Sequence, residues 1–170
     1  FNGSKNYPKN ALDKFMSSIG LDIGSHYNAS TGHFETVYEY EIPTDNPESV
    51  ATTIKILADI SNNLTLEDEV FERERKIVEE EWRNDLGATK RYLDELLPYL
   101  YKSSRLLERK PIGDIEVIRN FEYDDARSYY KKWYQPNLMG LFVIGDVDVN
   151  EIKKIITESF SSFENNDVTI

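Results

Sequence analysis

The run FERERKIVEEEWRND, Phe71–Asp85, constrains the fold of this chain more than any other segment. Its charge density keeps most of it in water. Steps of three and four residues put Val70, Glu74, Ile77 and Glu81 on one side of a helix spanning about Glu67 to Asp85. Read this way, the stripe is the one apolar face of the helix, and it carries two carboxylates. A carboxylate on a buried face needs a cation, a hydrogen-bond network or a metal. The chain has no cysteine, and its only imidazoles are His26 and His33.

The elements on either side can be read from periodicity and punctuation. Pro8–Asn10 leads into a helix with Leu12, Phe15, Met16 and Ile19 inward and Gly20 at its end. His26–Thr31 and Phe34–Ile42 read as strands joined at Gly32 in an antiparallel hairpin. Asn46 caps a helix that carries Val50, Ile54, Leu57 and Ala58. Beyond a loop at Asn62–Leu66 come the acidic helix and a helical stretch, Thr89–Ser103, with a kink expected at Pro98. Lys110–Gly113 reads as a turn, and Asp114–Asn120, Tyr123–Tyr134 and Glu151–Phe160 as helices. The apolar run Leu138–Ile144 has the pattern of a central strand. The class is therefore α+β, a mostly antiparallel sheet of at least three strands packed against several helices.

Composition narrows the function. With 170 residues, 39% hydrophobic and 12% aromatic, the chain can build one core over 1–163, with 164–170 a tail or the start of a linker. A net charge of −11, with basic residues interleaved among acidic ones, argues against nucleic acid. No apolar run reaches the roughly 20 residues that cross a bilayer. An opening on Phe1 rather than Met reads as a processed, excised or partial chain.

Five segments in order carry a resemblance. They are FNGSKNYPKNAL (Phe1–Leu12), NASTGHFETVY (Asn28–Tyr38), LEDEVFERERKIVEEE (Leu66–Glu81), PIGDIEVI (Pro111–Ile118) and YYKKWYQPNLMGLFVIGDVD (Tyr129–Asp148). Together they resemble the pitrilysin/insulysin family of zinc metallopeptidases, most closely its bacterial zinc-protease branch. The resemblance implies a pitrilysin-type domain that is incomplete at its N-terminus. The family's inverted His-x-x-Glu-His motif, with its general base and two strands before it, is absent from these residues. The resemblance further implies that Glu81 is the third zinc ligand and Glu74 a supporting carboxylate beside it. It implies that Asn28, Ala29, Ser30 and Thr31 form an edge strand pairing with an extended peptide substrate. The other implied partner is a C-terminal half of the same protein or a partner subunit. The implied compartment is a bacterial periplasm or cytoplasm, or an organelle.

The resulting expectation is a zinc-dependent endopeptidase acting on peptides or unfolded protein segments, with this chain alone inactive and not retaining zinc. The rival is a non-catalytic peptide-binding or structural subunit, because some relatives have lost the motif. A sheet without its neighbours also exposes apolar faces, so the isolated chain is expected to self-associate. His26 and His33 read as structural or solvent-facing. Asp146-x-Asp148-x-Asn150 opens like a calcium loop but has Glu151 where glycine is needed, so calcium is rejected.

Overall fold

The computed structural model describes residues 3–164. Their elements are α1 (Ala11–Ser18), β1 (Tyr27–Thr31), β2 (Thr36–Tyr40), α2 (Pro47–Asn62), α3 (Asp68–Asn84), α4 (Ala88–Tyr101), α5 (Ile115–Asn120), α6 (Tyr123–Trp133) and α7 (Val149–Phe160). Short 3₁₀ turns occupy Arg105–Leu107 and Pro136–Leu138. The class is α+β, with β1 and β2 paired in an antiparallel hairpin. Most of the tail expected from Glu164 onwards lies outside the described residues. By its contacts the chain forms two compact units, the first of Phe1–Asn28, Tyr38–Leu66 and Ala126–Ile170, the second of Ala29–Val37 and Glu67–Asp125.

In the first unit, Leu12 and Met16 of α1 meet Ile56 and Ile60 of α2, with Leu21 and Tyr27 completing a buried cluster. Helix α1 ends in a left-handed Gly20 (φ 79°), where the Leu21 N–H turns back to the Met16 carbonyl, a conformation that favours glycine. The start of α2 is capped by Asn46, whose side chain accepts from the Glu48 N–H at 3.0 Å, followed by Pro47 in the first helical position. Ser49, Thr53, Ile54, Ile56, Ala58, Asp59 and Ile60 are all buried because α2 is covered on more than one side, with α7 against it. Asp148 begins α7 by accepting from the N–H groups of Asn150 and Glu151 at 2.8 and 3.0 Å. The sequence that resembled a calcium loop is thus a helix cap.

Asp59 explains the opening motif. This α2 carboxylate is 3% exposed. Its Oδ2 accepts from the Ser4 hydroxyl and from the Asn6 N–H at 2.9 Å. Its Oδ1 accepts from the side-chain amides of Asn6 and Asn63 at 2.7 and 2.9 Å. Ser4 and Asn6 therefore tie the start of the described chain to a helix more than fifty residues away. A backbone bridge from Ser4 to Leu64 runs beside them. Nearby, the Tyr130 hydroxyl donates to the Ile60 carbonyl at 2.6 Å, and burial pushes its pKa up to about 12, which keeps that proton in place.

One expected strand does not form. Leu138 lies in a 3₁₀ turn, and residues 140–144 make no hydrogen bond among the described residues. Their exposure alternates with period two: Leu141 and Val143 are each 36% exposed, Phe142 86% and Ile144 95%. The residue pattern is that of a strand covered on both faces. A strand needs backbone partners, however, and no second strand pairs with this one among the described residues. The other two strands are also shorter than expected, because Phe34 and Glu35 belong to the turn that the Gly32 N–H closes on the Glu35 carbonyl at 2.8 Å.

Burial alone would raise the Asp59 pKa, but the hydrogen bonds from Ser4, Asn6 and Asn63 outweigh burial and hold the carboxyl below its usual range. A depressed folded-state pKa contributes stability above the unfolded value of about 3.9, and that contribution fades as pH falls through the folded value. Asp59→Ala is expected to cost about 3 kcal/mol at pH 7 by urea denaturation, because it leaves several buried donors unpaired. Between pH 5 and 2 the variant should lose less stability than the parent.

Candidate functional site

The expected site residues lie on α3 and on the hairpin. Helix α3 starts after Glu67 with Asp68 and Glu69 in its first turn and ends with Arg83 in its last, each charge opposing the nearer end of the helix dipole. Pairs one turn apart brace it, Glu72 with Lys76 at 3.5 Å and Glu79 with Arg83 at 2.9 Å. Both pairs are screened by solvent and individually weak. The face of α3 that meets the second unit's interior is set by packing on α5.

That face is not the expected one. None of α3 is fully buried. Ile77 is 47% exposed, the Glu74 side chain is 42% exposed, and Glu81 is exposed. The inward stripe is Phe71, Arg75, Val78 and Trp82, all half-buried, flanked by Glu79. Arg75 accounts for the difference. Its guanidinium donates from Nη1 to the carbonyls of Ile118, at 3.2 Å, and Arg119, and from Nη2 to that of Phe121 at 3.0 Å. These are the last carbonyls of α5, where a helix leaves acceptors unpaired and the dipole favours a cation. The same group lies 4.3 Å from the centre of the Phe121 ring and 5.3 Å from that of Tyr123. Phe71 stacks on Tyr123 at 5.4 Å. An arginine in a run whose charge density suggests solvation is thus the centre of the packed face.

At about 100° per residue, Glu74 and Glu81 lie about 20° apart around α3, and both point at least about 100° away from Arg75. The two carboxylates do share a face, as the spacing predicts; Ile77 and Glu81 on it are exposed, whereas Val70 and Glu74 are half-buried at the flank of the packed stripe. Glu74 lies 3.3 Å from Arg73 Nε. Glu81 makes no side-chain hydrogen bond or ion pair among the described residues, whereas its neighbours Glu79 and Glu80 are both bound to Arg83. Glu79 is held further by Arg119 at 2.7 Å, and this bond keeps its pKa low.

Asn28, Ala29, Ser30 and Thr31 are all exposed on β1, whose single strand neighbour among the described residues is β2. His26 is occupied in the turn before β1, where its Nδ1 accepts from the Asp22 N–H at 3.1 Å. His33 is exposed at the hairpin tip, its ring 6.3 Å from that of Phe34. The hydroxyl of Tyr38 bonds to that of Tyr134 and so ties β2 to the residue after α6, a long-range partner that the strand alternation of Tyr38 and Tyr40 does not reveal.

Among the described residues no three His, Asp or Glu side chains converge as a metal site. What is present fits one arm of a zinc site. A carboxylate oxygen is a normal zinc donor, and Glu81 offers one that is exposed and has no side-chain partner among the described residues. The rest of such a site has to come from other residues.

Comparison with known proteins settles the family. Residues 1–106 match the family described as Insulinase (Peptidase family M16), and residues 120–169 match the Peptidase M16 inactive domain. The chain belongs to the insulinase (M16) peptidase family. Within that family it is 34% identical over 166 residues to the probable zinc protease PqqL of Escherichia coli, covering 98% of this chain and 18% of PqqL. The crystal structure of the first half of that periplasmic protease superposes with a TM-score of 0.94 at 33% identity, covering 100% of this chain and 36% of that one. The chain is also 30% identical over 164 residues to the rat mitochondrial cytochrome b-c1 complex subunit 1, covering 95% of this chain and 32% of the subunit. The chain thus spans about a fifth of the length of its PqqL relative.

Proposed function

We propose that the whole protein is a zinc-dependent endopeptidase acting on peptides or unfolded protein segments, and that Glu81 is its third metal ligand. What supports this reading is the match of the chain to the insulinase peptidase family and of Glu81 to that family's ligand position; the exposure of Glu81 departs from the inward-pointing ligand expected from the sequence. The two histidine ligands and the general base come, in this reading, from the part of the protein outside these 170 residues. Bound zinc would supply a polarised, acidic water for attack on the peptide carbonyl. Glu74, about two turns earlier on the same face, orients the site from behind. Its backbone lies roughly 10 Å from that of Glu81, too far along the helix for both carboxylates to be ligands without distortion. Asn28–Thr31 receives the substrate backbone by strand addition, so that binding depends on an extended substrate more than on its side chains. The rest of the protein, or a partner subunit, closes over the peptide. By likeness to the E. coli relative the compartment is the periplasm.

Glu81→Ala in the whole protein is expected to abolish stoichiometric zinc and to lower kcat/KM on an unfolded protein by at least about 100-fold. Metal analysis and casein hydrolysis check both, and a variant that keeps one zinc per chain and full activity would overturn the assignment. A second reading, a non-catalytic subunit, is favoured by the rat cytochrome b-c1 relative. It predicts that the whole wild-type protein has neither zinc nor hydrolytic activity.

The isolated 170-residue chain should hold no stoichiometric zinc and cleave nothing, since one carboxylate is far short of a site. It should also associate with itself through the bare segment 140–144. Light scattering is expected to give a dimer or larger species, and Phe142→Lys with Ile144→Lys should restore the monomer. A monomeric parent chain would contradict this.

A further inference from the structure

We propose that Arg75 is a positioning residue for the carboxylate face of α3, a role that rests on the reading of Glu81 as a metal ligand. Other ties reach α3 from the same side, with Arg119 donating to Glu79 at 2.7 and 2.9 Å and Tyr123 donating to Glu72 at 2.9 Å, but each rests on an exposed side chain. The two ends of the helix are held by charge pairs open to water, and the apolar members of its inward stripe, Phe71, Val78 and Trp82, are only half-buried. Arg75 is different: its side chain is 13% exposed, and its fork engages three carbonyls in the chain direction at the end of α5. Its Nε is turned towards Glu72 at 3.6 Å, too long for a hydrogen bond, and so is left without one. Phe121 and Tyr123 lie against the guanidinium.

This arrangement is directional in a way that apolar packing is not. Rolling α3 by one residue, about 100°, would break the fork's bonds to α5, while Phe71 or Val78 could be replaced at the interface by another apolar side chain. With Arg75 seated, Glu74 and Glu81 point away from α5. With the fork lost, α3 is held on α5 and the start of α6 only by the bonds of Glu72 and Glu79 and by half-buried apolar contacts, and a metal ligand displaced by about 1 Å already costs catalysis heavily. Arg75 touches neither substrate nor metal; it acts by holding the face that does.

The test uses the whole zinc-loaded protein and compares Arg75→Met with Leu96→Ala, a control in the half-buried part of α4. The readouts are the rate of zinc release to a chelator, kcat and KM on a peptide, and Tm. Arg75→Met is expected to release zinc about 10–100-fold faster and to lower kcat by a similar factor, with KM within about twofold. Leu96→Ala should lower Tm without changing zinc release or kcat. If Arg75→Met does not melt cooperatively, Arg75→Lys decides. It keeps the charge without the fork, and is expected to fall between parent and Met variant in zinc release. Parent-like zinc release and kcat in the folded Arg75 variant would overturn the proposal, as would equal zinc loss in Leu96→Ala at matched Tm. A Glu81→Ala protein that keeps its zinc would sink the ligand assignment and this proposal with it. Loss of zinc in Glu81→Ala beside parent-like Arg75 variants would sink the positioning role alone.

Discussion

The fork of Arg75 into the last carbonyls of α5 is the constraint on which the candidate site depends. It satisfies acceptors that a helix end leaves open and holds a cation where the dipole is negative. It also buries a charge between two aromatic faces. Each bond from a charged donor is worth about 1.5–3 kcal/mol, more than the exposed ion pairs elsewhere on α3 supply. The interaction selects one rotation of an otherwise solvated helix. The exposure of Glu81 follows from that rotation.

The first unit relies on a buried charge of the opposite sign. Asp59 collects four donors from Ser4, Asn6 and Asn63. A carboxylate at 3% exposure persists because every nearby donor is aimed at it. The two units thus solve the same problem with opposite charges. In each, a buried ion gathers backbone or side-chain partners from segments distant in sequence and fixes how a helix sits. Glu81 stands out against both, since it is an acid whose side chain has no partner among the described residues.

The sequence made local structure legible and left long-range pairing obscure. Asn46, Pro47 and Gly20 act at short range, so the ends of α1 and α2 were readable, and α3 was placed within about one residue at each end. The shared face of Glu74 and Glu81 was also readable, because spacing alone decides it. The direction of that face was not, because counting Arg75 as a solvent-facing residue hid the stripe Phe71–Arg75–Val78–Trp82. The role of Ser4 and Asn6 was hidden for a related reason: their acceptor lies more than fifty residues away and looks like any helical aspartate. Residues 140–144 have a strand's composition without a strand's structure, since a ladder is a property of two segments and a sequence window displays one. Family membership was legible because five separate motifs fell in order, a signal that does not depend on which faces are buried.

The most direct test of the account is an anomalous-difference map of the whole protein crystallised with zinc. The account predicts a metal peak about 2.0–2.2 Å from a Glu81 carboxylate oxygen, the normal zinc–oxygen distance, with the Arg75 guanidinium still seated on the carbonyls of Ile118, Arg119 and Phe121. A fully occupied zinc with Glu81 outside bonding distance, or a zinc-bound Glu81 on a helix rolled so that Arg75 faces solvent, would contradict it.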